Sequence, residues 1–193
     1  VFTKIFFMNE IIQIIKERRN TKNFVDKDVA KIDIETLLDA AIWAPNHRDT
    51  QPWRFVVIDK ESPLRDKISE GIISVKEHSS GKRQTDEQIE SIVKYVQSRP
   101  VLIFVFSLID SNPIITEENY GAVCCAIQNI SLAATSMDLA VGWSTGKIAQ
   151  IQNLTEMFEL KEELKVVGVL TIGYPSSQQS KQRIDFNEIT SWL

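Results

Sequence analysis

An α+β fold is predicted for this 193-residue chain by three observations. Helical-period apolar runs and short strand-like runs are mixed along it, without the strict strand–helix alternation of a doubly wound sheet. Two runs, Val101 to Ile109 and Val166 to Gly173, are nearly continuous in apolar residues, as strands buried on both faces would be. No repeat, low-complexity tract or linker interrupts the chain, and its length suits a single domain over residues 1–193 with a full core.

The elements follow in order. Val1 to Phe7, ahead of Met8, is too short for a membrane span and lacks the features of a signal peptide. Residues 1–7 read as an upstream extension, with Asn9 capping the first helix. That helix carries a stripe of Ile11, Ile12, Ile14 and Ile15, and Arg18 and Arg19 sit in its last turn, where cations suit the dipole. Asp33 is the expected N-cap of a second helix running to Ala44, which Pro45 ends. A strand over Phe55 to Asp59 follows, and Ser62-Pro63 opens a helix with Leu64, Ile68 and Ile72 on one face. His78 to Arg83 reads as a mobile polar loop, and Thr85 with Gln88 as a capping box. Residues 70–99 thus form a helical excursion between two strands, placed to act as a lid or to remain a solvated hairpin. Thr116, with Glu117 and Glu118, is the expected start of a long helix through Leu139. It is apolar most of the way round, and so is buried in the core or in a subunit interface. Val141 to Trp143 is a short strand, and residues 174–193 are a polar C-terminal arm.

Composition excludes several functions. A net charge of −4 and a pI near 5.3 give no basic face for nucleic acid. No segment has the uninterrupted apolar length of a membrane span. Adjacent Cys124 and Cys125 are poorly placed to bridge each other and read as buried thiols of a reducing, cytoplasmic protein. The two histidines lack metal-ligand spacing, so no dedicated metal site is expected. With no phosphate-binding glycine motif and no legible triad, any chemistry belongs to a bound cofactor.

The most informative stretch is Ala44 to Phe55, a polar loop held between two prolines and flanked by a helix and a strand. Its pattern Ala-Pro-x5-Gln-Pro-Trp-x-Phe, preceded by Arg18-Arg19-Asn20-Thr21-Lys22-Asn23-Phe24, resembles the FMN-dependent nitroreductase family, its smaller members most. The resemblance runs from Glu10 to Arg183. It implies a three-layer α/β/α sandwich with a mostly antiparallel central sheet, in an intertwined homodimer whose active sites are shared. FMN would be the cofactor and NADH or NADPH the reductant, with ping-pong hydride transfer to a small-molecule acceptor such as a nitroaromatic or quinone. A flavin-binding protein without turnover, or a flavin dehydrogenase with one narrow substrate, stands as the alternative.

The resemblance also assigns residues. Arg18, Arg19, Asn20 and Lys22 match an Arg-x-Ser-x-Lys/Arg element contacting the ribityl phosphate and the pyrimidine edge; Asn20 departs from the usual Ser. Lys22 would lie near N1 of the ring. Lys181 and Arg183 match a late Lys-x-Arg that reaches back to the phosphate. Trp143, Ser144, Thr145 and Gly146 match a loop laid against the ring, with a backbone N–H toward N5 and glycines at 142 and 146 permitting close approach. Larger members carry an acidic residue where Thr145 stands. Trp43, Asn46 and His47 match positions facing the flavin held mainly by the other subunit, and Gln51 of the same loop is counted with the cofactor-binding residues. Asp49 replaces an asparagine of the larger members, and that role is not carried over.

Overall fold

The computed structural model describes residues 2–177 and 180–193, with side chains of the first helix from Glu10 onward. Val1, part of the expected extension, and Gln178 and Gln179 of the expected arm lie outside the described residues.

Four strands form one sheet in the order β1-β2-β4-β3, every neighbouring pair antiparallel. They are β1 (Trp53–Ile58), β2 (Val101–Leu108), β3 (Ala140–Ser144) and β4 (Leu164–Gly173). The two continuous apolar runs are the interior strands, because only strands covered on both faces can be apolar at every position. Side-chain alternation along β2 then builds two core layers. Ile103 and Val105 pack with Val123, Ile127 and Ile130 of α5 (Pro113–Ser136), against which α2 (Lys31–Ala41) also lies. Leu102, Phe104 and Phe106 meet Ile68 and Ile72 of α3 (Leu64–Ser80) and Ile92 of α4 (Asp86–Gln97). Helices therefore cover both faces, as the expected three-layer α+β fold requires.

Arg65 joins α3 to the start of β2. It is 1% exposed, and its guanidinium donates to the carbonyls of Asp59 (2.6 Å), Val96 (2.5 Å) and Pro100 (3.3 Å). Burial lowers its pKa against the opposing pull of Asp59 and Glu61. The capping box of α4 is present, Gln88 N donating to Thr85 Oγ1 and Thr85 N to Gln88 Oε1.

Several boundaries differ from expectation. α1 runs over Phe2–Glu17, so Asn9 lies within the helix and not at its cap. α2 begins two residues before Asp33, which sits in the first turn facing the helix dipole, and it ends at Ala41 with a turn to Ala44. His78 to Ser80 belong to α3, which Gly81 closes at φ 67°, a conformation glycine adopts without steric cost. α5 starts at Pro113, capped by Asn112; Thr116 instead ties the first turn to Asp110 through both its donor and its acceptor. Cys124 is half-buried and Cys125 exposed, because the buried stripe of α5 passes through Ala122, Val123, Ala126 and Ile127 and leaves 125 on the far side.

No helix among the described residues is long and apolar enough to cross a membrane. Outside the core, α1 leaves Ile11 (58%), Ile12 (45%) and Ile15 (48%) exposed.

Candidate functional site

After α1 the chain leaves the helix and runs beside β3, the outer strand of the sheet. Thr21 N donates to Val141 O at 2.9 Å, and Asn20 Oδ1 accepts the Trp143 backbone N–H at 2.6 Å. A Cβ on Gly142 would come within 2.3 Å of the Thr21 carbonyl oxygen. The first glycine of Gly-Trp-Ser-Thr-Gly thus serves this crossing of two chain segments. Trp143 turns its indole onto Gly168, where Nε1 is buried without a hydrogen-bond partner; a Cβ there would lie 2.2 Å from it. Thr145 and Gly146 follow, both exposed, with Gly146 N bonded to Ser144 Oγ at 3.2 Å.

Asn20, Lys22, Trp143 and Ser144 line a cavity of about 340 Å³, together with Tyr95 and Arg99 from the end of α4. The Arg99 guanidinium donates to the Lys22 carbonyl at 2.7 Å and lies 4.1 Å over the Tyr95 ring. Tyr95 and Arg99 had no signal in the sequence: both look like ordinary surface residues of an amphipathic helix end.

Three arginines influence one another at the end of α1. Burial lowers the pKa of the half-buried Arg18, and repulsion from Arg183 and then Arg19 lowers it further, so the C-terminal arm carries Arg183 to the end of α1. Among the described residues no carboxylate forms an ion pair with Arg18 or Arg183. Arg19 donates to the carbonyls of Lys16 and Arg18 at the C-terminal end of α1. Lys181 is exposed on the arm.

The loop from Pro45 to Pro52 is elsewhere. His47–Asp49 form a short 3₁₀ turn, and Arg48, Asp49 and Gln51 all have left-handed φ values of 59°, 51° and 44°. Non-glycine residues in that region are strained, and three in one short loop must be held by their surroundings. Asn46 Oδ1 accepts from Gln51 N at 3.0 Å, Thr50 Oγ1 donates to Asn119 Oδ1 at 2.7 Å, and His47 Nδ1 lies 2.8 Å from Glu118 Oε1. Trp43, at the loop's entrance, is 80% exposed.

The two groups do not meet within one chain. The loop is anchored at Glu118 and Asn119 of α5, while Arg19 and Thr21 share a cavity with Thr135 near the other end of that helix. Asn119 and Thr135 are about 24 Å apart along the axis. β1 and β3 are also the opposite edges of the sheet. Asn46, His47 and Gln51 therefore stand far from Arg18 to Lys22 and Trp143 of the same chain, while Trp43 lies beside Ala40, whose carbonyl accepts from Asn129 midway along α5.

The model of the Nitroreductase family matches residues 15–174. The chain belongs to that family. The span holds the segment after α1, the Ala44–Phe55 stretch and the Gly142–Gly146 loop, and ends before Lys181 and Arg183. Among curated relatives, the Bacillus subtilis protein named "Putative NAD(P)H nitroreductase YfhC" is 27% identical over 84% of this chain and 82% of its own. Among solved structures, a nitroreductase-like family protein from Bacillus cereus is 28% identical, with a TM-score of 0.80 over 95% of both chains. A nitroreductase with bound FMN from Bacteroides fragilis is 20% identical, covers 95% of this chain and 99% of that one, and with a TM-score of 0.72 shares the nitroreductase fold.

Proposed function

We propose that this nitroreductase-family chain is an FMN-dependent NAD(P)H oxidoreductase, acting as a homodimer on a nitroaromatic, quinone or related conjugated acceptor. The observation that carries this reading is the mutual repulsion of Arg18 and Arg183, cations without a carboxylate ion pair, with Arg18 two residues along the chain from Asn20, which lines the cavity together with Lys22 and Ser144. Two guanidiniums held together without a counter-charge repel each other, and a phosphate relieves that repulsion through charge-assisted bonds.

The residues present fit FMN. Arg18 and Arg183, with Lys181 on the same arm, would hold its phosphate. Lys22, exposed at the cavity, would supply an ammonium to stabilise electron density on the pyrimidine edge. Asn20 orients the Trp143–Ser144 backbone through its bond to the Trp143 N–H. Thr145 and Gly146 continue from that fixed point and would lie along the ring in this reading. When bound, FMN supplies two-electron hydride exchange between a nicotinamide and the acceptor.

The dimer reading follows from separation and exposure. Asn46, His47 and Gln51 lie too far away to serve their own protomer's cavity, so in this reading they close the partner's, with Trp43 beside them in the chain. The uncovered isoleucines of α1 and the exposed Trp43 supply apolar surface for such an interface. Both cysteines are free thiols, which suits a reducing cytoplasm.

The test is an absorbance spectrum of the purified protein, repeated anaerobically with NADH and with NADPH, alongside sedimentation to read the assembly. Flavin bands that bleach on a dimer are expected. Flavin that binds and stays oxidised would point to a binding protein without turnover, and a chain that takes up no FMN would overturn the reading.

A further inference from the structure

A second cavity, of about 290 Å³, lies between α3, α4 and the 3₁₀ turn Lys147–Gln150. It shares Tyr95 and Ser144 with the cavity of Asn20 and Lys22, so the two lie side by side against those side chains. Its floor is apolar, from Ile72, Ile92 and Ile148, and its polar groups include Lys76 and Lys147. Both lysines are half-buried, and among the described residues neither forms an ion pair. An ammonium drawn partly out of water without a partner is unfavourable unless something anionic visits it. A larger cavity of about 730 Å³, beyond α3, also reaches Lys147 and adds no carboxylate ion pair to it.

We infer that this second cavity is the subsite for an anionic group, a phosphate or carboxylate, on a substrate whose reacting end lies in the neighbouring cavity, with Lys76 and Lys147 as the residues that select it. The inference rests on the flavin reading for the reaction, but not for the binding step. Two ammonium groups facing one small apolar chamber attract an anion and leave a neutral analogue with only the apolar floor. Tyr95, with Arg99 against its ring, forms the partition between the chambers, so a flat substrate passes it with one end in each. The anion has two sources: the 2′-phosphate that distinguishes NADPH from NADH, or a charge on the acceptor itself.

Calorimetric titration of the purified protein separates these. One pair of probes is 2′,5′-ADP and 5′-AMP; the other is 4-nitrobenzoate and nitrobenzene. The expected result is that the more anionic member of one pair binds about tenfold tighter, and that Lys76→Gln with Lys147→Gln removes that preference. The charge-keeping pair Lys76→Arg with Lys147→Arg should retain it. A preference in the first pair assigns the subsite to the reductant, and in the second to the acceptor. Equal binding within both pairs, or a preference that survives in the glutamine variant, overturns the inference. Anaerobic bleaching of the wild-type protein by saturating NADH reports on the flavin reading separately.

Discussion

The Asn20 side chain accepts the backbone N–H of Trp143 at 2.6 Å, bonding the segment after α1 to the outer edge of the sheet. One short polar side chain thereby holds the cationic segment and the Gly142–Gly146 loop in register. Asn20→Ala should lower stability by about 1 kcal/mol and weaken FMN retention. Denaturant unfolding of the flavin-free protein, followed by FMN titration, checks both effects.

Gly142 is where the same two segments come closest. In Gly142→Ala the new methyl meets a backbone oxygen, which cannot rotate away as a side chain could. A loss of about 1–3 kcal/mol is expected, with reduced FMN occupancy, because Arg18 to Lys22 must shift outward. A variant that matches the wild type in both melting temperature and flavin content would contradict this contact.

Removing the arm's cations should separate binding from folding. Lys181→Ala with Arg183→Ala deletes two exposed side chains and relieves the repulsion on Arg18, so the melting temperature of the flavin-free protein should hold or rise. FMN affinity should fall about tenfold or more through lost phosphate contacts. Fluorescence titration reads it, and undiminished affinity would remove the phosphate assignment.

Arg65 is a structural cation that lines none of the cavities described. Arg65→Ala leaves three carbonyl acceptors without their donor and opens a gap between α3 and α4, at a cost of about 3 kcal/mol or more. Chemical denaturation measures it, and loss of the α3–α4 hairpin should register as well in amide exchange.

Cys124 gives a pH dependence. Burial is the main cause holding its thiol above the ordinary value, aided by Cys125 and opposed by the bond to Tyr120. A folded pKa above the unfolded one contributes stability that is full below the unfolded thiol's pKa and is lost as pH rises through the folded one. Cys124→Ala should therefore flatten the alkaline side of a melting-temperature profile while leaving neutral pH nearly unchanged.

Local pattern and chain geometry divide the credit for what could be read in advance. The interior strands were legible because burial on both faces writes itself as an unbroken apolar run, and the α4 cap because its two residues are neighbours on one turn. Helix ends were less so: α5 starts at Pro113, and His78 to Ser80 extend α3, since nearby side chains and tertiary packing moved the boundaries. Residue type and order alone determined the α+β class, the net negative charge and the motifs that resemble a flavin family. Only the tertiary structure decided that Arg183 stands beside Arg18, that Arg99 and Tyr95 wall the cavity, and that Gly142 serves a chain crossing. It also put Asn46 and His47 at the far end of α5 from Lys22. These are contacts between residues distant in the chain, set by how helices close over a sheet, and no local run of residues encodes them.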